Sequence, residues 1–71
     1  MARRRGGESG IVIRFYLGGT RGPTIPIARP PVEGEDLRSF VVRIARHGGV
    51  SWDHATVTFP NGSREEVNRD S

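Results

Sequence analysis

The sequence predicts an α+β domain of two layers, with one helix packed on a small, mostly antiparallel sheet in the order β-β-α-β-β. Three observations carry that prediction. Residues 11–17, Ile-Val-Ile-Arg-Phe-Tyr-Leu, are β-branched and aromatic and alternate between two faces. Residues 37–45 repeat apolar side chains at helical spacing. Residues 24–28 and 55–59 alternate again, each set off by glycine- and proline-rich breaks.

Residues 1–10 hold Arg3, Arg4, Arg5, three glycines, Glu8 and Ser9, with no apolar group after Ala2. Such a segment buries too little surface to offset its ordering entropy, so a flexible Arg-rich arm is expected there. In the first strand Ile11, Ile13, Phe15 and Leu17 share one face and Val12, Arg14 and Tyr16 the other. Gly18-Gly19-Thr20-Arg21-Gly22-Pro23 reads as a turn. Thr24–Ala28 resumes the alternation with Ile25 and Ile27 inward, and Pro26, which has no N–H to give a ladder, assigns this strand to a sheet edge. Arg29-Pro30-Pro31 ends it.

A helix is predicted over 35–47. Leu37, Phe40, Val41, Ile44 and Ala45 form its stripe, Arg38, Ser39, Val42 and Arg46 its far side. Glu35 and Asp36 in the first turn, and Arg43, Arg46 and His47 in the last, suit the helix dipole, and Gly48-Gly49 offers a left-handed cap. Burying Leu37, Phe40 and Ile44 is worth roughly 1.5–3 kcal/mol each before entropy, and Ile44→Ala is expected to cost about 2–5 kcal/mol. Beyond the helix, Ala55, Val57 and Phe59 face one way, Asn61-Gly62 marks a hairpin, and Arg64–Asn68 is the return strand. A two-residue loop pairs Val57 with Glu66. One further loop residue sets Val57 opposite Val67, and that bulged register is expected because it joins two apolar side chains. One domain over 11–68 results, with 69–71 as a frayed C-terminus.

The Ile-Val-Ile-Arg-Phe-Tyr-Leu strand, the glycine turn, the Thr-Ile-Pro-Ile strand and the Gly34-Glu35-Asp36-Leu37 helix entry together resemble the opening of ubiquitin-like β-grasp domains. The likeness covers residues 11–59 and is one of pattern and order. It implies that the first and last strands are central and parallel, joined through the helix. Ubiquitin and the sulfur carriers end in Gly-Gly, whereas this sequence ends Arg69-Asp70-Ser71, so the resemblance implies a binding module and not a modifier.

The composition constrains partners. The net charge of +3 resides in Arg3, Arg4 and Arg5; the remaining 8 arginines face 8 acidic residues. The pI near 11 reflects the absence of lysine and cysteine, since few groups lose charge below arginine. A lysine-free chain with 11 arginines also fits a GC-rich genome, such as that of a bacteriophage or plasmid of a GC-rich host. Without cysteine there is neither a disulfide framework nor a thiolate metal site. The longest apolar runs are three residues, far below the roughly 20 that span a bilayer, and the Arg3–Arg5 cluster runs into Gly6-Gly7-Glu8-Ser9-Gly10 without the apolar region of a signal peptide. No membrane association and a cytoplasmic location are therefore expected.

No catalytic residue is expected. Asp53 and His54 are neighbours, and neighbours on a strand point to opposite faces, as do Glu65 and Glu66. Ser51, Asp53 and His54 are too close in sequence for triad geometry. His47 and His54 match no metal-ligand spacing, and His47 reads as a helix C-terminal cation; neither metal nor cofactor is expected. The 18–22 glycines do not open a helix, so they read as a hairpin turn and not a phosphate cradle. Trp52, after the helix cap, is expected to close the end of the core.

The basic residues bear more weight. Between 10 and 31 lie Arg14, Arg21 and Arg29 with no acid, while residues 53–71 carry a net −2. A surface polarised in this way suits a protein partner. The expected function is a small non-enzymatic protein-interaction module, of adaptor or inhibitor type, with Val12, Arg14, Tyr16, Arg21 and Arg29 as partner-binding residues on the open sheet face or the 24–28 edge. The alternative is a nucleic-acid-binding accessory protein, with Arg14, Tyr16, Arg21 and Arg29 on the strand and Arg3, Arg4 and Arg5 on phosphates.

Overall fold

Alternation and helical spacing become elements near where the sequence places them, except that the second strand starts at Thr20, inside the expected 18–23 turn, because Thr20 and Arg21 pair with Leu17 and Tyr16. In the computed structural model, residues 9–70 are described; Arg3, Arg4, Arg5 and the rest of 1–8 lie outside the described residues, as does Ser71. The elements are β1 (Ile11–Leu17), β2 (Thr20–Ile27), α1 (Leu37–Gly48), β3 (His54–Thr58) and β4 (Arg64–Asn68). One four-stranded sheet runs in the order β2-β1-β3-β4, with α1 on a single face.

The sheet is antiparallel throughout. The β-grasp resemblance implies first and last strands that are central and parallel; here the last strand, β4, lies at the edge, and the central neighbours β1 and β3 run antiparallel. The reason lies in the connections. β1 turns back into β2, and α1 then carries the chain across β1 so that β3 runs along β2's direction and against β1's.

Ile11, Ile13 and Phe15 from β1, Ile27 from β2, and Ala55, Val57 and Val67 from β3 and β4 form the floor of the core. Phe40, Val41 and Ala45 from α1 close it from above, and Trp52 seals the end, its ring edge-on to Phe15 at 5.5 Å. The helical stripe is rotated relative to the expectation. Leu37 and Ile44 are only half-buried, and Val42, assigned to the far side, packs partly against the core. The helix comes nearest β4, and the Arg38 guanidinium donates to the Arg69 carbonyl (2.8 and 3.2 Å), so the opposite flank above β2 is left thinly covered.

Glu35 and Asp36 precede the helix instead of filling its first turn. Asp36 is the N-cap and accepts from the Ser39 N–H at 2.9 Å. Glu35 accepts from Val32 N–H and from Arg43 (2.9 and 3.0 Å), which pins the connecting loop to the helix. At the other end Gly49 (φ 66°) sits in the left-handed region; its N–H reaches the Arg46 carbonyl and the Val50 N–H the Ala45 carbonyl, the two bonds of a Schellman cap.

The β3–β4 register corrects the expected one. Val57 lies opposite Glu65, and Val67 opposite Ala55. The loop is Pro60-Asn61-Gly62, closed by Phe59 N–H to the Ser63 carbonyl and Gly62 N–H to the Phe59 carbonyl, both 2.8 Å, with Gly62 at φ 95°. The slip moves by two residues from the expected pairing, which keeps Val67 on the core face, opposite the small Ala55, and leaves Glu65 exposed at the edge.

Contacts continue past the strands at both ends. The Ser9 hydroxyl donates to the Ile27 carbonyl (2.7 Å) and accepts from Ile11 N–H, and Gly10 packs its α-carbon against Pro60. At the far end Arg69 donates its N–H to the Asp53 carbonyl (3.0 Å) and holds Arg38 through its own carbonyl.

Candidate functional site

Two surfaces bring together the residues singled out above. The first is the sheet face away from α1. Cross-strand partners on an antiparallel sheet share a face, so the register sets Pro26, Val12, Thr58 and Arg64 in one row and Thr24, Arg14, Thr56 and Glu66 in the next. A third row holds Arg21, Tyr16, His54 and Asn68. Val12, Arg14 and Tyr16 border a shallow depression of about 530 Å³ together with Thr56, Thr58, Arg64 and Glu66. Arg14 Nε approaches Thr24 Oγ1 at 3.4 Å, and Thr56 donates to Glu66 at 3.1 Å. The Tyr16 ring stacks on His54 with centroids 4.8 Å apart and planes 2° from parallel. Each ring thereby spends one face on the other and turns an edge outward.

Asp53 and His54 do not diverge as two strand neighbours would. Asp53 lies in the bend before β3, and its carboxylate turns back to His54 Nδ1 (2.7 Å) while its other oxygen accepts from Gly18 N–H (2.7 Å). These bonds, Gly18's first, hold the Asp53 carboxyl below its ordinary range. The pair fixes the imidazole orientation and ties the β1–β2 turn to β3. No nucleophile stands beside it in the described structure's hydrogen bonds, and no group of three metal-ligating side chains occurs among the described residues.

The second surface is the thinly covered flank. β2 is an edge strand, and beside it α1 leaves a groove of about 390 Å³ lined by Ile25, Pro26, Ile27, Ala28 and Ile44, with Arg29, Arg43 and His47 at its rim. Its lining is mostly apolar, and among the described residues no carboxylate lines it. The Arg43 guanidinium, beside the Phe40 ring at 5.5 Å, is held by Glu35, whose carboxyl is lowered by that same bond.

The five residues expected to bind a partner are thus divided. Val12, Arg14, Tyr16 and Arg21 belong to the open face, whereas Arg29 lies past the end of β2 at the groove. Ile44 and His47 were not singled out as contact residues; Ile44 reads as core in any helical wheel, and only the helix's position over the sheet exposes it. Thr56 and Thr58 join the open face through pairing with β1 across more than forty residues of sequence, and Arg64 joins it opposite Thr58.

No protein-family model matches the chain, and neither curated proteins nor solved structures offer a match. The site therefore has to be judged on its own chemistry. Among the described residues, no helix is long and apolar enough to cross a membrane.

Proposed function

We propose that this protein is a small non-enzymatic interaction module that binds another protein along β2 and the groove between β2 and α1. The observation that carries the reading is the coincidence, at one flank, of a strand edge unpaired among the described residues with half-buried Ile25 and Ile44. An edge strand is a template for pairing, and an apolar groove beside it adds burial that backbone bonds alone do not supply.

The alternative is nucleic-acid binding. What favours it is the shared depression of Arg14, Tyr16 and Arg64 on the open face. Against it stand Glu66 within that depression, the mutual stacking of Tyr16 and His54, and the spread of other arginines over the helix face at Arg38, Arg43 and Arg46.

Site-specific photocross-linking separates the two. A benzophenone side chain at Ile44 is expected to capture protein from native extract with or without nuclease, and one at Thr56 to capture markedly less. Adducts formed only at Thr56, or only with nucleic acid, overturn the proposal. The alternative requires binding that weakens steeply with salt and on replacing Arg3, Arg4 and Arg5 by alanine.

A further inference from the structure

Resting on the reading that the β2 flank binds protein, we infer that its occupant is an extended segment of a partner, added to β2 as a fifth strand. Its groove-facing side chains are apolar, and it carries carboxylates at the Ala28–Arg29 end. Backbone direction supplies the first part. The Ile27 carbonyl accepts from Ser9 N–H, on the β1 side, and the Tyr16 carbonyl accepts from Asp53 N–H, on the β3 side. In an antiparallel ladder both backbone groups of a residue point the same way and successive residues alternate. Ile25 and Ile27 therefore spend their backbone on β1, and Thr24 and Pro26 face outward. Pro26 thus costs the sheet no internal bond, and the free edge still presents the Thr24 N–H with the Thr24 and Pro26 carbonyls.

Side chains supply the second part. Alternate residues of an added strand lie over the helix-side face, where Ile25 and Ile44 are half-buried. Past β2 the rim bears Arg29 and His47, and nearby Arg46, while no acid occurs between Gly10 and Val32. The same charges argue against a second copy of this chain as occupant. Pairing β2 antiparallel with itself about Ile25 sets Arg21 opposite Arg29 twice, and like charges directly opposite are destabilising.

The test is an NMR titration of the full-length, ¹⁵N-labelled protein with capped nine-residue peptides of alternating valine and threonine, ending in two glutamates or two lysines. The glutamate peptide is expected to shift the amides of Thr24, Ile25, Ala28 and Ile44 and to bind about tenfold more tightly than the lysine peptide, and Arg29→Glu to reverse that preference. Arg29 is exposed, so the variant leaves the core intact. Groove shifts of equal affinity for both peptides refute the acidic partner while leaving protein binding at this flank to the cross-linking result. Shifts confined to Arg14 and Thr56, no shift at millimolar peptide, or self-association through β2 refute the strand-addition inference outright.

Discussion

Replacing Phe40 or Ile44 by alanine separates two accounts of the core. In the helical stripe the two are equivalent, and each is expected to cost several kcal/mol when truncated. In the folded protein Phe40 is 0% exposed under the helix centre, whereas Ile44 is half-buried at a groove open to solvent. Truncating Phe40 leaves an enclosed cavity and should cost about 3–5 kcal/mol. Truncating Ile44 leaves no enclosed space, so only part of its transfer free energy is lost, about 1 kcal/mol. Against a total of about 4–11 kcal/mol for a 71-residue chain, the first removes much of the stability and the second little. Trp52, the only tryptophan and itself buried against Phe15, reports unfolding in urea by fluorescence. With a slope of about 1 kcal/mol/M, the midpoints should fall by about 3 M or more for Phe40→Ala and about 1 M for Ile44→Ala. A Phe40→Ala chain already unfolded in buffer agrees with this. Equal costs for the two, or a larger cost at Ile44, would refute the helix placement and with it the open groove.

Other outcomes follow from local geometry. Gly49→Ala places a β-carbon on the left-handed cap and should cost about 1–2 kcal/mol in the same urea assay. Gly10→Ala sets a β-carbon 2.7 Å from Pro60 Cβ on a backbone at φ 84° and should cost about 1–3 kcal/mol; a neutral result would show that residue 10 is not part of the domain. Asp53 is lowered by Gly18 N–H and His54, so its stabilisation is fully present above its unfolded-state pKa and is lost as pH falls through the lower, folded-state value. Asp53→Asn should flatten the acid limb of a stability–pH curve below about pH 4; an unchanged limb would rule out that bond network as its cause.

The elements were legible in the sequence because each is written in short-range periodicity. Alternation from Ile11 to Leu17 and over 55–58, the stripe from Leu37 to Ala45 and the glycine after it depend on neighbours within a few residues. Gly49 as C-cap is equally local, whereas Asp36 proved to be the N-cap and not a first-turn residue, and β2 begins at Thr20, within the stretch read as a turn, because pairing with β1 extends it. The hairpin register was misread for a reason of longer range. Pairing Val57 with Val67 is favourable for two residues taken alone, but in the folded sheet Val57 is buried opposite Glu65 and Val67 opposite Ala55, a pairing that no local pattern specifies.

The sequence by itself thus determined one helix, four strands and their order along the chain, and most but not all of the inward side chains, since these follow from spacing and backbone preference along the chain. Leu17 and the rotated helical stripe are the exceptions. Tertiary structure alone decided the rest. The direction of β3 against β1 depends on how the helical connection crosses the sheet. The exposure of Ile44 depends on where the helix comes to rest, towards β4 and away from β2. The turn of the Asp53 carboxylate onto both Gly18 and His54 depends on two segments 35 residues apart meeting at one end of the sheet. The open flank is a product of packing, because a helix with one apolar stripe must choose which part of a wider sheet it covers.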